Sequence, residues 1–477
     1  MTKDLSKGAL AATVIPLLPF VLWLAYSRPG YFTSETYMAG FIGLELLAVA
    51  LWRFRQIFFA LLMYVFLSAG SALPGASFST RGRWILLGIG ALVGALIMLK
   101  ERQFRLGFFH LIALSCVMAG LVSAAVSRYP DLAMLKALSL FLLFLYAASG
   151  ARLAVEGRER RFLNGLVIGG EILVAGTAAF YAAGIEVMGN PNSLGAVMGV
   201  VGIPVLLWGI LVSGKGSKDT LARRRRVLLF FICMYLVYYS HARAGMLAAA
   251  ISSALLCVGL REYKMLMKGC GMLLMIVAGA AVLQPQTVSS SVSMFTSDVV
   301  YKSHDQGVLA SRQSPWNEAM DSIRTHFWFG TGFGTTDTAH DSTITTGNFA
   351  SNFAVTAEYG SSYLAILVWV GAIGALPFLL LLLLVARSVI RTFLWMRATG
   401  SALHPAVPLA LVVVAGLVHA GLEDWLFAVG YYLCVFFWSM AFVLVDIAPV
   451  SSRASAVSFS PLPNALRVER QILVAGR

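Results

Sequence analysis

Residues 227–260 are almost wholly apolar, yet Ser240, His241 and Arg243 stand in their midst. An arginine at the centre of a bilayer costs roughly 2.5–3.5 kcal/mol on insertion scales. Its presence predicts one of two arrangements: two helices meeting in a turn at the water boundary, or a helix face opening on an internal polar cavity. Either way Arg243 is a candidate anion-binding group, because a guanidinium stays ionised and bonds phosphate-type oxygens in pairs. The plainer alternative is an interfacial arginine that snorkels without a ligand. Glu45 and Glu171 also fall within apolar runs. Ionisable groups there mark either function or a partnered helix–helix contact, and the partnered contact is the expectation. The five cysteines lie in or beside apolar runs, which offers neither a disulfide framework nor a thiolate metal site. The stretch GTGFGT, 330–335, invites a nucleotide-loop reading, but a dinucleotide fingerprint needs a preceding strand and a following helix. Its glycines are expected instead to let backbone pass close to a helix end or to the membrane surface.

The elements that must position these groups are helices in a bilayer. Of 477 residues, 59% are hydrophobic and 12% charged, against about 45–50% and about 25% in a soluble domain. A spanning helix needs about 20 mostly apolar residues. Such runs fall near 9–26, 37–52, 57–73, 84–99, 106–127, 134–151, 163–184, 193–212, 227–240, 245–260, 270–284, 363–386, 406–425 and 428–445. They predict an all-α polytopic membrane protein of about fourteen transmembrane helices, with twelve as the smaller count, because several runs are short for a bilayer of roughly 30 Å. The first run has no small-residue cleavage site behind it and reads as a retained span. Lys and Arg gather on alternate connections, with Arg81, Arg83 and Arg128 as exceptions. Short basic loops stay in the cytoplasm, so both termini are expected inside. The net charge of +14 is then an orientation signal and requires no nucleic-acid partner.

The chain divides by this reading into N-terminal spans (1–284, about eleven helices at the usual length), a large periplasmic loop (285–362), C-terminal spans (363–445) and a cytoplasmic tail (446–477). The loop carries three basic residues, Lys302, Arg312 and Arg324, against seven acids, the reverse of the cytoplasmic connections. Structureless loops longer than about 12–15 residues are usually functional or disordered. This one is partly helical: Trp316, Met320, Ile323 and Phe327 recur at steps of three and four. Pro315, preceded by Ser311 and Ser314, suits the helix start.

Four stretches together carry a resemblance. SHARAGMLAA (240–249) resembles a Ser-x-Ser-Arg turn; SRQSPW (311–316) and HFWFGTGFG (326–334) resemble a loop segment with the sequel hPlfGtGfG. GSSYLAILVWVGAIGALPFLLL (360–381) resembles HNxYLxxxxExGxxGxxxF, and GLEDWLFAVGYYLCVFFW (421–438) resembles a closing helix pair of polysaccharide-assembly proteins. GNPNSLGAVM (189–198), with Asn192, is a fainter echo. In this order they resemble the superfamily of O-antigen ligases and Wzy-type polymerases. The resemblance implies a bacterial inner-membrane enzyme that takes a glycan from an undecaprenyl-diphosphate carrier to a glycan acceptor on the periplasmic face. It implies no metal and no cofactor, with membrane lipid and other polysaccharide-assembly proteins as further partners.

The resemblance also assigns roles. Arg243 and Arg312 are expected to stabilise the departing diphosphate, electrostatic stabilisation being often the largest catalytic term; for Arg312 a loop salt bridge is an equal alternative. A base must take the proton of the attacking hydroxyl at about 2.6–3.2 Å. The family's histidine should stand just before SSYL, but this chain has Glu358-Tyr359-Gly360 there. Glu358 is therefore the first candidate base, and His340, His304 and His326 are the loop alternatives. Ser240, Tyr359, Trp316 and Asn192 are candidate substrate-binding residues, with Tyr359, Trp316 and Trp328 offering rings to stack on sugar. Glu423 and Asp424, with His419 a turn before, either cap the closing helix pair or shape the site, and the structural role is the expectation. Polymerase is slightly favoured over ligase, from the EDW closing pair. The alternatives are a transporter or flippase, and a non-catalytic assembly component that has lost the histidine.

Overall fold

A computed structural model describes residues 76–100, 107–150, 158–188, 190–213, 217–263, 310–336 and 358–449, with a few single positions besides. The described residues are helical throughout, without strands. In chain order the helices are α1 (Ala76–Lys100), α2 (Phe108–Val126), α3 (Pro130–Ala148), α4 (Glu159–Ala182) and α5 (Pro191–Val197). A π turn at Met198–Gly202 joins α5 to α6 (Ile203–Leu211), followed by α7 (Ser217–Tyr239), α8 (Arg243–Gly259) and α9 (Ala310–Thr325). The last three are α10 (Ser362–Thr399), α11 (Ala406–Ala420) and α12 (Tyr432–Ile447). Among the described residues, five segments are long and apolar enough to cross a membrane: α2, α3, α4, α5 through α6, and α10; four shorter apolar helices accompany them. The expected spans at 9–26, 37–52, 57–73 and 270–284, together with Glu45, His304 and His340, lie outside the described residues.

Two compact units emerge. The first comprises residues 1–156, 312–386 and 420–446. In it α2 and α3 form an antiparallel pair across a three-residue turn, and Pro130 at the first position of α3, followed by Asp131, starts that helix. Proline there loses no needed N–H, and an early acid favours the helix N-terminus. Helix α12 is buried from Tyr432 through Leu444, so it is apolar on every face. Aromatic rings fill its surroundings: Trp438 meets Phe144 and Phe427 at 5.3 Å, and Phe442 meets Phe109 at 4.8 Å.

The break in α10 organises the rest of this unit. Gly371 has φ 67° and ψ −177°, a conformation essentially reserved for glycine. The broken turn releases backbone groups that must find partners inside an apolar fold. Residues 327–332 supply them. Ala372 N donates to Phe327 O at 2.8 Å, Thr331 N to Val368 O at 2.9 Å, and Gly332 N to Trp369 O at 3.1 Å. A side chain at Gly330 would put its Cβ 2.4 Å from Trp369 O, so the glycine loop lies against the helix break itself.

The second unit comprises residues 157–311, 387–419 and 447–477. Asn190 caps α5 by accepting from Asn192 N at 2.9 Å, with Pro191 next. Further on, Pro204 lacks the N–H that an unbroken helix needs, and the π turn precedes it directly. Small residues let helices close up here: a Cβ at Gly199 would fall 2.3 Å from Gly245 O, and one at Gly245 would fall 2.3 Å from Gly195 O. Such small-residue crossings are typical of helix packing in membranes. Glu171 of α4 is a partnered acid. It accepts from Arg226 Nε at 2.8 Å and from Arg225, while Arg226 also donates to Gly209 O and Ser213 Oγ.

Three sequence expectations shift. Helix α9 begins at Ala310 and takes Pro315 into its interior, so the proline does not mark its start. Its inner stripe runs through Arg312, Trp316 and Ala319, while Met320 and Phe327 are exposed; of the three-to-four series, Trp316 and Ile323 are half-buried and the other two face outward. The span expected over 406–425 stops at Ala420, because 421–431 folds as a connection rather than as helix.

Candidate functional site

In the first unit, three separate segments bring polar groups to one place: the start of α9, residues 358–362 ahead of α10, and the connection between α11 and α12. Arg312 from α9 forms an ion pair with Glu423 of the connection, each side chain 21% exposed. A Cβ at Gly360, where φ is +63°, would lie 2.9 Å from Arg312 Nη1 and 3.2 Å from Arg312 Cδ. Glycine is therefore needed both for the backbone angle and for the arginine to lie across the chain.

Tyr359, beside Gly360, is fully buried. Its backbone N donates to Asp424 Oδ2 at 2.8 Å and its hydroxyl to Thr336 Oγ1 at 3.1 Å. It thus ties the glycine loop to the acidic connection and has no ring face open for stacking on a sugar. The loop is fixed in turn to the α2–α3 turn: Ser127 Oγ and Thr335 Oγ1 lie 3.0 Å apart, and Lys136 donates to Gly334 O. Phe333 enters the core against Trp369 at 5.7 Å and Phe378 at 6.2 Å.

Ser362 closes the arrangement. Its Oγ donates to Glu423 O at 2.7 Å and accepts from Trp425 N and Leu426 N, each at 3.0 Å. Leu426 O accepts from Trp438 Nε1 at 2.6 Å and from Cys434 Sγ at 3.3 Å. Trp425, Leu426 and Phe427 are buried, and non-helical backbone is tolerated at such depth only when every polar group is met. These bonds meet them, and they hold Glu423 and Asp424 at the surface of the unit.

The two acids differ in environment. Glu423 faces a cation. Asp424 is half-buried and has no cation paired with it among the described residues. Burial first, then the charges of Glu358 and Glu423, push its carboxyl up to about 7, against the opposing pull of the Tyr359 N–H. Glu358 itself is exposed. Trp316, one turn beyond Arg312 in α9, is half-buried; its indole N–H is sequestered with no acceptor among the described residues. Phe327, Trp328 and Phe329 are exposed in sequence beyond it.

In the second unit, Arg243 is the first residue of α8 and half-buried. The polar interruption of the long apolar run is a turn between two helices. His241 adopts φ 51°, a conformation uncommon outside glycine. Ser240 is buried; its Oγ donates to Val237 O at 2.6 Å and accepts from Ala242 N at 3.2 Å. A Cβ at Gly195 would fall 2.5 Å from that Oγ, so the serine braces the turn that presents Arg243. Asn192 lies half-buried at the start of α5, its backbone N engaged by Asn190.

Residues 228–379 match the family model of O-antigen ligase. This segment is O-antigen ligase-like. The matched segment contains the Arg243 turn, α9 with Arg312 and Trp316, the glycine loop, Tyr359 and the break in α10. Of the residues marked from sequence as candidates for catalysis or substrate binding, Asn192 alone lies outside it. No curated protein matches the chain. The match covers about a third of the chain, and together with the apolar helices it points to a multi-pass membrane protein carrying an O-antigen ligase-like segment. Sequence reading placed bracing ahead of shaping the site for Glu423 and Asp424, since no local pattern shows that they meet Arg312 and Tyr359, 111 and 65 positions away.

Proposed function

We propose that this O-antigen ligase-like protein transfers a glycan from an undecaprenyl-diphosphate carrier to an acceptor hydroxyl, on the periplasmic face of the bacterial inner membrane. Polymerisation of carrier-linked repeat units is the preferred outcome over ligation to lipid A core, from the EDW closing pair. The observation that carries the reading is Arg312, inside the family-matched segment, fixed by Glu423 and laid over Gly360 beside an acid that has no cation partner among the described residues. An arginine has five N–H donors, so one held by a carboxylate can still meet phosphate oxygens. Its fixed rotamer lowers the ordering cost of doing so.

In this reading Arg312 stabilises charge on the leaving diphosphate, and Arg243 serves as a second phosphate-binding cation. Trp316, with its sequestered indole N–H, offers a donor to a sugar oxygen. His340 stays a candidate of the loop, and Glu358 a candidate of the acid cluster. Ser240 and Tyr359 act through the backbone they brace. The chemistry requires no metal or cofactor.

The test uses a host deleted for this chain and complemented with variants. Arg243→Ala is expected to abolish surface or secreted polysaccharide while the protein stays inserted and abundant, as measured by polymer length and membrane immunoblot. Unchanged polymer length and yield would remove the phosphate-binding role of Arg243. If deletion of the chain itself leaves the polymer unchanged, the glycan-transfer reading fails.

A further inference from the structure

Arg312 and Asp424 flank the same two residues. Asp424 is hydrogen-bonded to the Tyr359 amide, and Arg312 lies over Gly360. Glycosyl transfer needs two such groups close together: a cation where negative charge leaves and a proton acceptor where the hydroxyl attacks. Neighbouring carboxyls whose environments differ are how one site divides such roles. Glu423 is committed to Arg312. Among the described residues, the Asp424 carboxylate accepts from a neutral amide, Tyr359 N.

Resting on the proposed function, we propose that Asp424 is the base that takes the acceptor hydroxyl's proton, and that Glu423 is a positioning residue for Arg312. In the step, the hydroxyl oxygen bonds to the anomeric carbon while the bond from that carbon to the diphosphate oxygen breaks. The electron pair leaves with the lipid diphosphate, and the hydroxyl proton passes to the Asp424 carboxylate. Glu358 is the weaker choice because it is exposed and hydrated, whereas Asp424 is half-buried and held to fixed backbone. The charged and titratable groups acting on Asp424 are Glu358 and, through its backbone N–H, Tyr359 from the segment before α10, and Glu423 from its own connection, with Arg312 of α9 paired to that Glu423. An acid raised to about 7 is half ionised near neutrality, and a base works best with its pKa near the operating pH.

The experiment uses membranes of the native host, which carry the cell's own lipid-linked glycan as the donor probe. Glycan release from the carrier is followed between about pH 5 and pH 9, bracketing the usual working range of a general base. The wild-type rate should rise with pH and reach half its maximum near 7. Asp424→Asn keeps an oxygen for the Tyr359 N–H, so abundance and thermal midpoint should hold while release falls by about 100-fold or more and loses its pH limb. Asp424→Glu should recover part of the rate. Glu358→Gln removes a like charge and should move the limb to lower pH. Asp424→Asn within about threefold of wild type, with the same limb, overturns the proposal; that margin is far below general-base effects of roughly 10²–10⁴. If Asp424→Asn proves unstable, an unmoved limb in Glu358→Gln overturns it instead. No release from wild-type membranes would fail the proposed function itself, which is a different result.

Discussion

At the scale of the residue, the two arginines on Glu171 show how position decides worth. Arg226 has a side chain 12% exposed and Arg225 one 57% exposed, against 8% for Glu171. Removing one partner of a buried pair strands the other and costs about 3–5 kcal/mol, whereas an exposed pair is worth about 0–1 kcal/mol. Arg226→Ala should therefore lower the thermal midpoint in detergent strongly, and Arg225→Ala only slightly. Equal effects would mean that Glu171 is reached by water. Reading Glu171 as a partnered acid was possible from sequence because an unpaired carboxylate in an apolar run is too costly to persist. The identity of its partners was not, since α7 supplies them from 54 and 55 residues away. The same limit hid Asp424: residue type made it an eligible base, and only the fold placed it on Tyr359.

At the scale of the element, the α10 break and the glycine loop are one device. The loop's glycines were legible as a close approach of backbone, but the surface they approach was not. The run 363–386 is apolar without interruption by charge, so nothing in its hydropathy marks Gly371 as a break. Gly371→Ala should be costly, because its φ of 67° disfavours a side chain and its Cβ would lie 2.4 Å from Trp328 C and O. Gly176→Ala, which meets nothing within 4 Å, is the matched control and should be close to neutral. The thermal midpoint reads both. The loss in Gly371→Ala should also reduce glycan release, since the break holds the loop, the loop holds Tyr359 through Thr336, and Tyr359 holds Asp424. A Gly371→Ala protein as stable and active as wild type would show that the break is incidental.

At the scale of the whole molecule, hydropathy is the strongest signal a membrane chain carries, and it identified apolar helices wherever the structure describes them. Boundaries were weaker. Helix α10 continues through Arg387, Arg391 and Arg397 to Thr399, past the apolar stretch, because backbone hydrogen bonding does not stop where hydrocarbon does. Conversely, α11 and α12 are 15 and 16 residues long. At 1.5 Å per residue each covers about 22–24 Å, short of a hydrocarbon core of about 30 Å. The connection 421–431 continues from α11 with non-helical backbone, and the burial of Trp425, Leu426 and Phe427 in it keeps Glu423 and Asp424 half-buried. Orientation rests on the distribution of Lys and Arg and can be measured directly. With the five native cysteines replaced, single cysteines at Arg128 and Glu358 should react in intact cells with a membrane-impermeant thiol reagent admitted to the periplasm. Cysteines at Arg105 and Arg152 should react only after the inner membrane is opened. Short basic loops are retained in the cytoplasm with few exceptions, so the four positions should divide cleanly. The reverse pattern would put the acid cluster on the cytoplasmic side, away from any carrier presenting its glycan to the periplasm, and the transfer chemistry argued for Arg312 and Asp424 would lose its substrate.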